Sequence, residues 1–247
     1  MKTRVLSAPA VAPRRVGIFP LGRLVRDISW VLIIAGLLLV IDAGVTLVWQ
    51  EPVTAVIALI KRSDIDKQYL SYQSAPLAPV ERHALVGLPQ LQQRISFLAR
   101  REAQQVGTGD AIGQIAIPTL GASYTVVQGT DTASLEEGPG HYPATALPGL
   151  GQTVAIAGHR TTYLAPFRHI NGLKPGDRIV LTMPYGRFTY DVQYTKIVLP
   201  TALWVIRDVG YERLVLSACN PLYSAAQRII VFARLKSVVP LGPARQT

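Results

Sequence analysis

Two different hydrophobic patterns divide the chain near residue 107. Upstream, one long apolar run extends from Ile28 to Trp49, which matches the roughly 20 residues that a helix needs to cross a bilayer. Downstream, short apolar runs alternate with turns that contain Gly and Pro, a pattern typical of the strands of a barrel or a sandwich. These short runs cover 114–117, 123–127, 153–157, 178–183, 187–199, 214–218 and 229–235.

The long apolar run has the flanks of a retained membrane anchor. Trp30 and Trp49 suit the two membrane interfaces. Several basic residues and only one acidic residue, Asp27, precede the run. This excess of positive charge predicts a cytoplasmic N-terminus and an extracellular domain at the cell membrane. The basic residues are Lys2, Arg4, Arg14, Arg15, Arg23 and Arg26. A cleaved signal peptide is the alternative, but its apolar core normally has about 7–15 residues and this run is longer.

Residues 50–106 are predicted to form a partly helical juxtamembrane stalk. Leu88, Leu91, Ile95 and Leu98 recur at helical spacing, while several prolines interrupt the segment. This mixture indicates short helices separated by turns.

The expected organisation follows from these patterns. The apolar stretch 53–60 is too short for a second span, so it either continues along the membrane interface or packs on the domain. Short connecting helices fit 131–137, with Asp131 as N-cap, and 163–170. The predicted divisions are a basic cytoplasmic tail at 1–27, a transmembrane helix at 28–49, the stalk at 50–106, the barrel at 107–238 and a C-terminal tail at 239–247.

Composition adds three limits. The chain has 247 residues, of which 49% are hydrophobic, enough for one ordinary domain and an anchor. The formal net charge is +10, but the basic residues are spread along the chain and no nucleic-acid-binding motif is present. With one cysteine the chain forms no internal disulfide, so the domain must be stabilised by its core.

Candidate chemistry lies at the ends of predicted strands. Cys219 ends the apolar run 214–218, and His159 follows the run 153–157. A free thiol has a pKa of about 8.5, so a nucleophilic cysteine needs a positive neighbour, and His159 and Arg228 are the candidates. Because free cysteines are often buried, an inert core thiol is the alternative on composition alone.

The strings that contain these residues resemble sortases, and most closely class E sortases. They read Ala-Gly-His-Arg-Thr-Thr-Tyr at 157–163, Leu-Ser-Ala-Cys-Asn-Pro at 216–221 and Ser-Ala-Ala-Gln-Arg at 224–228. The resemblance covers about Ile115 to Leu235 and includes Gly-Pro-Gly-His-Tyr-Pro before the histidine and Leu-Lys-Pro-Gly-Asp after it. In one departure, Ala218 stands where the family usually has threonine before the cysteine.

The resemblance implies a closed all-β sortase barrel and a membrane-anchored cysteine transpeptidase of the surface of Gram-positive bacteria. Cys219 would be the nucleophile, His159 the proton donor and acceptor, and Arg228 the group that stabilises the negative charge on the carbonyl oxygen. The residues implied in substrate binding are Tyr142, Ala218 and Asn220. His141, in the loop before the histidine strand, is expected to line the cleft or to face solvent.

The implied partners are exported proteins that carry a Leu-Ala-x-Thr-Gly or Leu-Pro-x-Thr-Gly sorting signal, together with an amine of a peptidoglycan precursor or a pilin. No cofactor, catalytic metal or nucleic acid is expected. Two alternatives remain open at this point. Hydrolysis of the thioester by water would make the protein a cysteine endopeptidase, and an inert Cys219 would leave a membrane-tethered binding barrel.

Overall fold

The computed structural model describes residues 21–48, 52–73 and 76–245. The predictions about the basic tail before residue 21 and about Trp49 lie outside these residues. The chain divides into two compact units, with the division after Leu47. The first unit contains nearly all of the long apolar run, and the second contains the predicted strands.

The long apolar run forms a single helix, α1 (Leu21–Val48). Its segment Gly22–Val45 has a mean hydropathy of 2.4 and is not buried by other parts of the chain. By length and composition this helix can cross a membrane. α1 begins before Ile28, the predicted start. Arg23 and Arg26 interrupt the apolar pattern, but arginine is a good helix former, so the helical backbone continues through them.

Eight strands in the second unit form a closed barrel in the order β1-β2-β3-β4-β7-β8-β6-β5. The pairs β2/β3 and β4/β7 are parallel, and the remaining pairs are antiparallel. The predicted fold class is therefore confirmed, and every predicted run coincides with a strand. The strands are β1 (Ala111–Ile117), β2 (Ala122–Gln128), β3 (Gly140–His141), β4 (Thr153–Ala157), β5 (Arg178–Met183), β6 (Gly186–Val198), β7 (Arg213–Asn220) and β8 (Gln227–Pro240).

The segment predicted as a stalk packs on this barrel. Its helices are α2 (Pro52–Gln73), α3 (Pro79–Val86) and α4 (Leu91–Gln105). Ile95 and Leu98 of α4 are buried in the main core, while Ile65 and Tyr69 of α2 pack against the outside of β1 and β2. Apolar residues at helical spacing lie on one face of a helix, and here that face is buried against the barrel. At the other end of the chain, β8 runs to Pro240, so the expected tail begins as a strand.

The two connecting segments predicted as helices have different conformations. The first forms α5 (Thr132–Glu137), and the Asp131 side chain accepts the backbone N–H of Ser134 at 3.1 Å, which confirms the predicted N-cap. In the second, the predicted helix is absent. Tyr163, Leu164 and Ala165 have φ values of 50°, 62° and 42°, which a right-handed helix excludes.

Helix α4 carries one buried carboxylate, that of Glu102, which is 3% exposed. Its Oε1 atom has no hydrogen-bond partner in the described part of the chain. Burial raises the pKa of Glu102 to about 8, while the charge of Arg101 acts weakly in the opposite direction. The carboxyl group therefore favours its protonated form in the folded protein.

We predict that the contribution of Glu102 to stability falls as the pH rises from about 4.5 through about 8. The folded state binds the Glu102 proton more tightly than the unfolded state, so the stabilisation is complete below the unfolded pKa and is lost above the folded pKa. The slope is at most about 1.4 kcal/mol per pH unit. Thermal unfolding of the detergent-solubilised protein measures it. Glu102→Gln removes this part of the slope, and an unchanged slope in that variant would contradict the assignment.

Candidate active site

The parallel pairing of β4 with β7 brings the predicted histidine and cysteine to the same end of the barrel. Ala157 pairs with Ser217, and the Gly158 N–H extends the ladder by donating to the Ser217 carbonyl at 3.0 Å. His159 and Cys219 each lie two residues beyond this pair. Since parallel strands end at the same edge of a sheet, both side chains emerge together.

Strand β8 supplies the third predicted group. It runs antiparallel to β7, and Arg228 is the direct cross-strand partner of Cys219. The Arg228 Nη1 atom donates to the carbonyl oxygens of Ala225 at 2.9 Å and of Gln227 at 3.0 Å. These bonds hold the guanidinium group against the turn between β7 and β8, beside the partly exposed thiol.

A pocket of about 180 Å³ opens between these strand ends. It is lined by Thr130, Leu135, Tyr142, Ala157, Gly158, His159, Ser217, Ala218, Cys219 and Arg228. Five of the six predicted site residues therefore share one cavity. The exception is Asn220, whose side chain accepts a bond from Arg160 at 3.0 Å and donates to Gln227 at 3.2 Å.

The imidazole of His159 is partly buried beside this pocket. Burial lowers its pKa, and the negative charge of Glu136 acts in the opposite direction. Within the described residues, its buried Nε2 atom has no hydrogen-bond partner. The ring packs against Tyr163, with centroids 5.3 Å apart. A histidine in this environment can both donate and accept a proton near neutral pH.

The loop that carries His159 is closely packed. A Cβ atom at Gly158 would lie 2.5 Å from Cδ2 of Phe167, whose side chain is fully buried. The Phe167 N–H donates to the His159 carbonyl at 2.9 Å, so the loop folds back on the histidine. The glycine before His159 is thus required by the approach of an aromatic ring.

Arg160 is a site residue that the sequence reasoning did not assign. It is 5% exposed, and its guanidinium group donates to the Cys219 carbonyl at 3.2 Å and to Asn171 Oδ1 at 2.8 Å. It therefore ties the end of β4 to the end of β7. The sequence shows Arg160 next to His159 at a strand end. It does not show which groups Arg160 binds, because the Cys219 carbonyl lies in a distant segment of the chain.

The prediction that His141 lines the cleft or faces solvent is wrong. His141 belongs to β3, between β2 and β4, and only 2% of it is exposed. Its ring nitrogens lie 2.8 Å from Gln128 Oε1 and 3.0 Å from the Ala146 carbonyl. Burial lowers the pKa of His141 to about 4, so the ring is neutral near pH 7. The ring lies in the packed interior and does not line the pocket.

Comparison with known proteins identifies the family of this barrel. The Sortase domain model matches residues 115–236. Sortase D of Bacillus subtilis (strain 168) is 35% identical over 131 residues, and the match covers 51% of this chain. The solved structure of sortase E from Streptomyces avermitilis is 36% identical with a TM-score of 0.50, covering 54% of this chain and 93% of that one. The chain belongs to the sortase family.

The matched relatives come from more than one sortase class, and the chain covers only part of each. Sortase SrtE1 of Streptomyces coelicolor is 29% identical over 143 residues, covering 51% of this chain. Relatives of both class D and class E are therefore similar to this chain, and the predicted resemblance to sortases is confirmed. The chain spans 65% of the Bacillus subtilis relative and 41% of the Streptomyces coelicolor relative, less than two thirds of each.

We predict that Gly158→Ala destabilises the protein by about 1–3 kcal/mol, because the added methyl group must displace the buried Phe167 ring. Gly172→Ala is the matched control in the same region, since its nearest contact would be Leu120 Cδ2 at 3.9 Å. The control is expected to change stability by less than about 0.5 kcal/mol. Denaturant unfolding of both variants tests this, and equal effects would contradict the packing argument.

Proposed function

We propose that the protein is a membrane-anchored cysteine transpeptidase that cleaves a C-terminal sorting signal after its threonine and transfers the new carboxyl group to an amine. The observation that carries this proposal is that Cys219, His159 and Arg228 line one pocket. The substrate is an exported protein with a signal of the Leu-Ala-x-Thr-Gly or Leu-Pro-x-Thr-Gly type. The proposal extends the sortase family assignment to this chain's own chemistry.

In the first step the Cys219 thiolate attacks the carbonyl carbon of the substrate threonine. The C–S bond forms, and negative charge develops on the carbonyl oxygen, where the Arg228 guanidinium group stabilises it. The C–N bond to glycine then breaks as His159 protonates the leaving nitrogen. The product is a thioester on Cys219 and a released C-terminal peptide. The direct pairing of Cys219 with Arg228 supports these roles.

In the second step an amine attacks the thioester carbon. A C–N bond forms, the C–S bond breaks, and His159 accepts the proton that the amine loses. The thiolate is regenerated, and the sum of bonds requires neither a nucleotide nor an oxidant. The acceptor is an amine of a peptidoglycan precursor or of a pilin subunit. The lowered pKa of His159 supports this step because a more readily deprotonated imidazole is available as a base.

The walls of the pocket provide the substrate contacts. Tyr142 lies in the segment between β3 and β4 and lines the pocket beside His159. Ala218 is 3% exposed and presents a methyl group where a threonine would present a hydroxyl. Asn220 supports the site from outside the lining, through its bond with Arg160. We assign Tyr142 and Ala218 to substrate binding and Asn220 to the support of the cysteine strand.

The first apolar helix determines where this chemistry takes place. α1 acts as a single-pass anchor after a basic N-terminal segment, with the N-terminus in the cytoplasm and the catalytic domain outside. This orientation gives the enzyme access to exported substrates and to cell-wall amines. We propose the same bounds for the cytoplasmic tail, the anchor and the catalytic domain as the sequence predicts.

We predict that the detergent-solubilised protein, incubated with a Leu-Ala-x-Thr-Gly peptide and an amine, gains the mass of the peptide's N-terminal part and releases a peptide–amine product. Cys219→Ala gains no mass because it lacks the nucleophile. Intact-protein mass spectrometry measures both species. A hydrolysed peptide alone would favour an endopeptidase. The absence of an adduct with both the Leu-Ala and the Leu-Pro signals would favour a binding barrel.

We also predict that Arg228→Lys lowers kcat/KM for transfer by about 10²-fold, because lysine lacks the fixed fork of donors that faces the developing oxyanion. Arg234→Lys, on the same strand, is the control: Arg234 lies over the Tyr211 ring at 4.8 Å and does not line the pocket. Steady-state kinetics of both variants test the assignment. Similar losses would show that the effect is not specific to the pocket.

A further inference from the structure

Behind His159, a line of polar contacts leads away from the pocket to the helix that follows the anchor. The Tyr163 ring packs on the His159 ring, and the Tyr163 hydroxyl donates to Glu136 Oε1 at 3.0 Å. The other oxygen of Glu136 accepts a bond from Lys61 Nζ at 2.6 Å. Lys61 belongs to α2, Glu136 to α5, and Tyr163 to the loop after β4. Three separate segments therefore converge on the histidine.

α2 is firmly attached to the barrel, so Lys61 is not on a mobile arm. Ala58, Ile65 and Tyr69 on the inner face of α2 are 2%, 6% and 1% exposed. The Tyr69 hydroxyl donates to the Thr182 carbonyl on β5 at 3.0 Å. Asp66 accepts a bond from the Thr125 hydroxyl on β2. The helix thus has apolar and polar contacts with three strands.

The loop that carries Tyr163 needs external support. Three consecutive residues, Tyr163 to Ala165, have positive φ, a conformation that costs free energy for side chains other than glycine. Such a segment persists only where surrounding contacts hold it. α2 supplies one further contact, because the Tyr163 N–H donates to Thr54 Oγ1 at 3.4 Å. The strained segment begins four residues after His159 and packs directly on its ring.

We propose that Lys61, Glu136 and Tyr163 form a positioning relay through which α2 holds His159 in its working orientation. This inference rests on the proposed function, since it concerns the same histidine. Lys61 fixes the carboxylate of Glu136, Glu136 fixes the hydroxyl of Tyr163, and Tyr163 fixes one face of the imidazole. None of the three lines the pocket, so they act through His159 and not on the substrate.

The relay also has an electrostatic role. The bonds from Lys61 and Tyr163 lower the pKa of Glu136, so this carboxylate remains charged at neutral pH. Its negative charge raises the pKa of His159 against the opposing effect of burial. Within the described residues, the other ionisable side chains that line its pocket are Tyr142, Cys219 on β7 and Arg228 on β8. Glu136 therefore favours the protonated imidazole that the first step requires.

The exposure of the ion pair distinguishes it from an ordinary surface pair. The Lys61 and Glu136 side chains are 33% and 23% exposed, whereas the Lys67 and Asp64 side chains of the same helix are 73% and 75% exposed. Surface pairs contribute little because water screens them. The pair formed by Lys67 and Asp64 therefore provides a matched control on the same helix.

A double-mutant cycle in the full-length protein tests the relay. Glu136→Gln is expected to lower kcat/KM for peptide transfer by about tenfold, because it removes the charge but retains the size of the side chain. Lys61→Met is expected to lower it by about threefold, and Lys61→Arg should restore most of the loss. If Lys61 acts through Glu136, adding Lys61→Met to Glu136→Gln has no further effect. Lys67→Met should retain wild-type activity.

The titration of His159, followed by NMR of the protein with ¹³C-labelled histidine, provides a readout that simple destabilisation does not change. The chain has four histidines, and His159→Gln identifies the signal. Glu136→Gln is expected to lower the pKa of His159, whereas Lys67→Met leaves it unchanged. An unchanged pKa together with wild-type kcat/KM in Glu136→Gln would overturn the relay. If the wild-type protein transfers no peptide but Glu136→Gln still shifts the titration, the proposed function fails and the relay stands.

Discussion

The parallel pairing of β4 with β7 is the constraint on which the candidate site depends. Backbone hydrogen bonds hold Ala157 opposite Ser217, so His159 and Cys219 leave the sheet at the same level. The antiparallel partner β8 then has one register that places Arg228 opposite the thiol. A slip of one residue would turn alternate side chains to the other face of the barrel. The alignment of the three groups is therefore a property of the sheet as a whole.

The loop between β4 and β5 meets this constraint through conformations that are individually unfavourable. Gly158 admits the Phe167 ring at a distance that any side chain would obstruct, and Tyr163 begins a run of positive φ angles. Arg160 is buried in the same loop and compensates by bonding the cysteine strand. Strained backbone and buried charge are tolerated where dense packing and hydrogen bonds offset their cost. Here that density surrounds the histidine.

The helices between α1 and the barrel strands also contribute to the surroundings of the candidate site. A stalk in the strict sense would only connect two parts of the chain, but α2 and α4 bury apolar faces on or in the barrel. Lys61 of α2 then donates to Glu136, whose charge acts on His159. The segment N-terminal to the sortase match thus contributes to both the core and the site.

The sequence by itself determined seven of the eight strands and the apolar helix, because hydrophobic periodicity and turn residues are local signals. Cys219, His159 and Arg228 were candidates from the strings that resemble sortases. It also indicated that His159 and Cys219 lie at strand ends on one edge of a sheet, while the direct pairing of their strands came from the structure. Only the tertiary structure decided that His141 is buried, that Arg160 binds the Cys219 carbonyl and that Glu136 faces the histidine. These outcomes depend on which distant segments pack together. Desolvation and charge act through space, so their partners cannot be identified from spacing along the chain.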